Sequence, residues 1–336
     1  MAITLAQAKV GMADHVDQQV IDSFRRSSLL LDLMTFDNSV SPGTGGSTLV
    51  YGYIQLLTPS TAAARAINSE YTADEAIRTK KTANLIPMGG SFQIDRVLQN
   101  TSGAIDEVAF QAEQKIRATA NYFHNLCVNG SAAASGAGYV TSTFDGLKKT
   151  LTGTAQALTS TADLTTSANM TTNMNAFLDE LDALYGAVEG GPSIFLMNDK
   201  MLGKVRSVAR RAGYYRNERD EFGRVVEYYR DAPLFDAGKI VSVSGSTVTT
   251  ADVVADVAAT SSAAGTSSIY AVGLGLDGFH GVTVAGDKIM SMYLPDMTQP
   301  GAVKTGEVEF VAGAVLKSLS KAAVLTGIAT TPATGN

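Results

Sequence analysis

The stretch from Ala104 to Val128 constrains the fold of this chain more than any other. Ile105, Val108, Ala109, Ala112, Ile116, Ala120, Phe123 and Cys127 recur at helical spacing and share one stripe, while Asp106, Glu107, Glu113, Lys115 and Arg117 line the other side. Thr101 or Ser102 supplies a cap at its start, and Asn129-Gly130 a stop at its end. At ~1.5 Å per residue the helix is about 37 Å long, the length of a whole small domain. It therefore reads as a spine on which other elements are built.

Upstream, residues 3–36 alternate apolar groups with charge. Val16, Val20 and Phe24 at helical spacing, followed by Leu29-Leu30-Leu31, read as an N-terminal arm with an amphipathic helix, ended by the loop at 41–46. Residues 47–57 are β-prone, and 84–95 are extended again, with Pro87 marking an edge strand. Between them lies a polar, Ala-rich stretch carrying Arg65, Glu70, Asp74, Glu75, Arg78, Lys80 and Lys81. As one hairpin, each arm of ~20 residues reaches about 65 Å. An isolated two-stranded hairpin is marginal in water, so this one requires another surface, and a neighbouring subunit is the natural support.

Downstream, residues 131–172 are rich in Ala, Gly, Ser and Thr, with Phe144-Asp145-Gly146-Leu147 as the firm apolar anchor. An α/β alternation follows. Residues 174–187 read as a helix, 193–197 as a buried strand, 199–212 as a helix capped by Asn198, and 224–229 as a strand. Residues 239–250 read as a hairpin turning at Gly245-Ser246, and 251–267 as a flexible Ala/Ser/Thr insert. From Ser268 onward the pattern is strand-like, at 269–272, 282–284, 289–294, 307–313 and 322–328. The fold class is α+β.

With 336 residues the chain exceeds one typical hydrophobic core, which predicts two domains or one with large excursions. Charged residues at 17% fall below the usual quarter, and the net charge of −6 argues against a dedicated nucleic-acid binder. The single cysteine, Cys127, excludes an internal disulfide framework and a Cys-based zinc site, and His15, His124 and His280 are too scattered for a His-rich metal cage. The N-terminus lacks a basic region ahead of an apolar stretch, so no signal peptide is expected. Lys317 and Lys321 interrupt the last apolar stretch, and no segment is expected to span a bilayer. A reducing, cytoplasm-like compartment is the expectation.

Four constellations invite chemistry. Gly273-Leu-Gly275-Leu-Asp-Gly278 follows a strand and matches the dinucleotide fingerprint, but that motif needs a helix starting at its glycines, and Phe279–Val284 is β-like. The better reading is a glycine-rich turn between strands. His124 and Cys127 share a helix flank, yet Cys127 lies on the apolar stripe and no Asp or Asn is placed to orient the imidazole, which favours packing. Glu307 and Glu309 face one side of a strand and read as a solvated or intersubunit face rather than an acid/base pair. Residues 199–231 hold nine basic groups against six acidic ones, an excess able to touch phosphate but equally suited to ion pairs between like subunits. Neither a Walker loop nor a His-Glu-x-x-His or Gly-x-Ser-x-Gly motif occurs. No catalytic residue, cofactor or metal ligand is expected, and the chain reads as a lattice builder, not an enzyme.

The order of these elements resembles the major capsid protein of tailed bacteriophages, with its Hong Kong 97-type fold. The resemblance rests on an N-terminal arm, an extended E-loop, the strand Phe92–Arg96 leading into the spine helix, and the segment Asn121–Gly130 followed by Phe144-Asp145-Gly146-Leu147. It also rests on the block Gly223–Leu234, similar to a strand and turn of the family's A-domain, and on the terminal strands 307–313 and 322–328. Where the family often has Gly-Asp-Gly at the helix end, Asn129-Gly130-Ser131 stands here.

The resemblance implies an N-terminal arm at 1–46, an E-loop at 47–92, a P-domain at 93–150 and 291–336, and an α/β A-domain at 151–290. It implies hexamers and pentamers closing into an icosahedral shell around double-stranded DNA, held non-specifically, in a virion assembled in the bacterial host cytoplasm. The implied partners are further copies of the chain, a portal protein, a decoration protein, and a scaffolding protein separate from this chain because the arm begins near Met1. Arg65, Glu70, Arg78, Lys80 and Lys81 become candidate inter-subunit contacts of the E-loop, and Arg210, Arg211, Arg216 and Arg219 those of the A-domain. Some family members crosslink an E-loop lysine to a neighbour's asparagine, but no partner residue is identified here. The same fold builds encapsulins, bacterial compartments for enzyme cargo, which is the nearest alternative. A nucleotide-binding oxidoreductase is the alternative from another class.

Overall fold

The structure is a computed structural model that describes residues 29–40, 49–97, 107–133, 138–213, 217–219, 225–244, 247–284, 290–296 and 298–335. The expected arm helix at Val16–Phe24 and the spine cap at Thr101 or Ser102 lie outside these residues.

A short helix α1 (Leu29–Leu33) and strand β1 (Phe36–Val40) open the described chain. Strands β2 (Val50–Thr58) and β3 (Ile77–Asn84) form a hairpin, and β4 (Ile86–Asp95) follows. The spine helix α2 (Glu107–Asn129) leads to β5 (Gly130–Ser131), β6 (Val140–Thr141), α3 (Leu147–Leu151) and β7 (Ala157–Thr159). Then come α4 (Ser167–Gly186), β8 (Ile194–Met197) and α5 (Asp199–Ala212). Strands β9 (Asn217–Arg219), β10 (Val225–Tyr229) and β11 (Ala232–Asp236) make a meander. The hairpin β12 (Lys239–Ser244) and β13 (Thr247–Asp252) precedes β14 (Gly265–Val272) and β15 (Phe279–Val284). Strands β16 (Ser291–Tyr293), β17 (Val303–Leu316) and β18 (Ala322–Thr331) complete the chain.

One sheet is built around β17. Its residues 303–312 pair antiparallel with β4, while its other edge takes β16 and then β15, with β1 outermost and parallel to β15. Pro87 sits in β4, whose outer edge has no strand partner among the described residues, the edge position its missing N–H requires. Along β17, Val308 and Phe310 point inward while Glu307 and Glu309 are exposed, the solvated face expected from the alternation. Two glycines on this sheet lie under aromatic rings of the neighbouring strand. A Cβ at Gly281 would come within 2.4 Å of the Phe36 ring, and one at Gly306 within 2.4 Å of the Phe92 ring.

The spine helix lies across β4 and β17. Ala112, Ile116, Ala120, Phe123 and Cys127 are buried along the expected stripe. Residues 123–130, however, are buried all round, polar His124 and Asn125 included, because the last turns run into the junction between the two sheets. There the Asn129 amide donates to Asn125 Oδ1 at 2.8 Å and to the Val253 carbonyl at 2.6 Å, satisfying polar groups cut off from water.

The second sheet has seven strands in the order β7-β18-β14-β8-β11-β10-β9. Phe195 and Met197 of β8 face the layer formed by α4 and α5, and Ile194 and Leu196 face the core shared with the first sheet. The run Ile-Phe-Leu-Met is unbroken because both faces of this strand are covered. Asn198 caps α5 as expected, its Oδ1 accepting from Met201 N at 2.8 Å.

Several segments differ from the sequence expectation. Residues 322–331, grouped there with the P-domain, form β18 between β7 and β14, and 279–284, grouped with the A-domain, lie in the five-stranded sheet. Residues 86–92, grouped with the E-loop, belong to β4 of that same sheet. The chain crosses between the sheets three times, between β4 and β7 by way of the spine helix, through the turn after β14, and through the 3-10 turn Leu319–Lys321 before β18. The last two crossings are tied by Gly273 N donating to Lys321 O at 2.7 Å. The stretch 251–267 is no flexible insert throughout, for Val253 and Val254 are core residues and Val257 pairs with Thr266. Its low sequence complexity concealed two side chains that fill the space beside the spine helix.

Candidate functional site

The largest exposed construction is the hairpin of β2 and β3. Tyr53 pairs with Lys81, Ile54 with Lys80 and Leu56 with Arg78, so the pleat divides it into two unlike faces. Tyr51, Tyr53 and Ala83 turn toward the body and are buried or half-buried. Ile54, Leu56, Arg78 and Lys80 turn away, and the two aliphatic side chains are 71% and 55% exposed. Beyond this, every residue of 58–78 is exposed.

The base of the hairpin is fastened to three elements. Tyr51 donates from its hydroxyl to Asp37 Oδ2 at 3.0 Å on β1, and its ring meets His280 of β15 edge-on at 6.0 Å. Lys317 Nζ lies 5.5 Å from the Tyr51 ring centre, and Gln55 Nε2 donates to the Lys317 carbonyl at 2.9 Å. Burial holds the fully enclosed His280 below the usual imidazole range.

The tip has internal order of its own. Thr61 donates through both its N–H and its hydroxyl to Asp74 Oδ2, each at 2.6 Å, which keeps that carboxyl below the usual range. Arg65 lies over the Tyr71 ring at 5.3 Å and donates to the Ser69 carbonyl at 3.1 Å. Ile67, at the turn, is 91% exposed. The hairpin thus presents a shaped apolar and basic surface that the other described residues leave uncovered.

Of the residues singled out in the sequence, Arg65 and Glu70 sit at this tip, and Arg78, Lys80 and Lys81 on β3, all exposed. Arg210 and Arg211 are exposed in the last turn of α5, on the far side of the seven-stranded sheet. Arg219 ends β9, at that sheet's outer edge, and Arg216 lies outside the described residues. Among the described residues no hydrogen bond or ring contact joins the two groups within one chain.

The other constellations resolve as packing. Gly273–Gly278 joins strand to strand and opens no helix, and its amides are spent locally. Gly278 N donates to Gly275 O at 3.0 Å and Phe279 N to Gly273 O at 3.0 Å. His124 stacks on Phe235 with ring centres 6.1 Å apart. Burial lowers its pKa to about 4 and pushes the Cys127 thiol far up, so both are neutral at pH 7 and form no thiolate–imidazolium pair. Among the described residues no group of three or more His, Cys, Asp or Glu could hold a metal ion, and no helix is long and apolar enough to cross a membrane.

Sequence reasoning missed a cleft between α4 and the turn joining β10 to β11, lined by Leu178, Asp179, Asp182, Tyr228, Tyr229 and Arg230. Tyr229 donates to Asp182, and its phenol is pushed up first by burial and then by that bond. The available signal was the charge of the two helices. The segment Ser167–Gly186 has three carboxylates and no basic residue, and Asp199–Ala212 has five basic residues and one acidic.

No protein-family model matches the chain, and no curated protein matches its sequence. Solved structures do match over nearly its whole length. The holo-SrpI encapsulin complex of Synechococcus elongatus PCC 7942 aligns at TM-score 0.60 and 15% identity, covering 99% of this chain and 98% of that one. The capsid of a native GTA particle aligns at 0.54 and 13%, covering 90% and 91%. The capsid of Myoviridae phage XM1 aligns at 0.53 and 12%, covering 88% and 90%. At these identities the likeness is one of fold.

Proposed function

We propose that this chain, which has the Hong Kong 97-type capsid fold, is the repeated subunit of a closed protein shell. The observation that carries the reading is the hairpin, with every residue of 58–78 exposed and Ile54, Leu56, Ile67, Tyr71 and Ile77 all more than half exposed. A two-stranded arm of this kind gains stability only by lying on another surface. Repeated heterologous contacts of that sort close into rings and shells.

In the finer form of the reading, the chain is the major capsid protein of a tailed bacteriophage. Hexamers and pentamers enclose double-stranded DNA, and the protein's role is structural rather than catalytic. The N-arm and the E-loop, with Arg65, Glu70, Arg78, Lys80 and Lys81, contact neighbouring subunits. Portal, scaffolding and decoration proteins are the further partners in this reading, and assembly takes place in the host cytoplasm. The net charge of −6 suits a container that does not grip the DNA packed into it. A second reading, a cargo compartment, is favoured by the near-complete two-way coverage with the encapsulin.

Negative-stain electron microscopy and sedimentation velocity of the expressed chain test the shell. Closed particles or rings of five or six support it, and a discrete monomer with no higher species under assembly conditions, scaffold co-expression included, removes it. Nucleic acid or enzyme cargo copurifying with closed particles then separates the phage capsid from the compartment.

A further inference from the structure

We infer that the cleft between α4 and the β10–β11 turn receives the basic C-terminal end of α5 from a second copy of the chain. The inference rests on the shell reading and adds to it a specific contact between subunits.

The cleft has a volume of about 550 Å³ and combines carboxylates with tyrosine faces. Asp182 accepts from Tyr229 and from Arg230, the latter at 2.9 Å. Glu180 is spent on Ser160 and Thr161 within its own chain. Asp179, exposed on the rim, has neither hydrogen bond nor ion pair among the described residues. The wall is formed in advance. Arg230 is held at φ 53°, a left-handed conformation unusual for its residue type, with its guanidinium 4.7 Å from the Tyr185 ring. A site lined by carboxylate and tyrosine suits a guanidinium, which pairs with the one and stacks on the other.

The matching donors are identified by elimination along α5. Lys200 pairs with Asp256 at 2.7 Å, Arg206 binds Glu227 through two bonds of 2.6 and 2.8 Å, and Lys204 donates to the Leu164 carbonyl at 2.6 Å. Among the described residues only hydroxyls meet the other two: Ser207 lies 3.4 Å from Arg210 and Ser167 lies 2.8 Å from Arg211. Arg211 cannot turn into its own cleft. Ser167 begins α4, and Asp179 and Asp182 lie about 18–22 Å further along that helix. Donor and acceptor are thus separate patches on one molecule, the arrangement of a head-to-tail contact that closes as a ring.

Charge reversal tests the contact in the full chain. Asp179→Arg alone, and Arg210→Asp with Arg211→Asp alone, each place like charges together. Each is expected to lower the fraction of chain in rings or shells about tenfold by sedimentation velocity, and the three substitutions combined restore it. All three residues are exposed, and thermal unfolding followed by circular dichroism verifies that each subunit folds. Reversals that assemble like the parent, or a combination no better than its parts, overturn the contact while leaving the shell reading in place. A parent chain that never assembles removes the shell reading and this contact with it.

Discussion

The Tyr51 hydroxyl donates to Asp37 Oδ2 across 3.0 Å, tying the base of the projecting hairpin to the strand that enters from the N-terminal arm. The two residues stand 14 apart in sequence, so the bond joins two segments that periodicity treats as separate. Tyr51→Phe keeps the ring against His280 and removes only the bond. Asp37 is half-exposed and can turn to water, so the expected loss is about 1 kcal/mol of unfolding free energy, read from urea denaturation of the subunit.

Phe123 is the hub of an aromatic cluster that joins four parts of the chain. Its ring meets Phe310 of β17 edge-to-face with centres 5.0 Å apart, and Phe36 and Phe144 lie at 6.2 and 6.5 Å. Phe123→Ala leaves a cavity bounded by the sheet, the arm strand and α3. A loss of about 3–5 kcal/mol is expected, seen as a lowered denaturant midpoint or as insoluble protein.

Replacing the hairpin tip, residues 60–76, by a short Gly/Ser linker removes only exposed side chains. Circular dichroism and the thermal midpoint of the subunit should stay near those of the parent. Electron microscopy should show no closed shells, and normal particles from this variant would sink the assignment of the hairpin as an inter-subunit clamp.

His124 gives the subunit an acid sensitivity with a definite sign. Burial lowers its folded pKa to about 4, against about 6.5 for an unfolded histidine. Between these values the unfolded chain binds a proton that the folded chain does not, so stability falls as pH drops from 6.5 toward 4. The full effect is about 3 kcal/mol. Urea unfolding at stepped pH should show this slope in the parent and a shallower one in His124→Gln.

The spine helix was legible because one periodicity governs it for some six turns, and Ile116, Ala120 and Phe123 fall where the 3.6-residue stripe puts them. The cap at Asn198 and the hairpin register Ser244↔Thr247 were legible for a similar reason, since each is a local backbone requirement met by local residue types. The glycines at 273–278 could be read as a turn from the β-like residues that follow. The burial of Val253 and Val254 could not be read, because their neighbours in sequence are polar and small while their neighbours in space belong to the spine helix and its surroundings. The cleft at Asp179 and Asp182 escaped notice because its two walls come from segments nearly fifty residues apart, Leu178–Asp182 and Tyr228–Arg230.

What the sequence by itself determined was most of the succession of elements, the presence of an exposed hairpin and the opposite charges of α4 and α5. These depend on periodicity, turn chemistry and residue type, which act over a few residues. Which sheet each strand joins was decided only by the tertiary structure. An apolar, β-branched strand is satisfied by any edge that completes its hydrogen bonds and covers its faces, so β18 could follow β17 in the chain yet lie beside β7 and β14. That choice is made by long-range packing around the junction where Gly273 meets Lys321, and it sets the helix layer with its acidic cleft and basic end apart from the projecting hairpin.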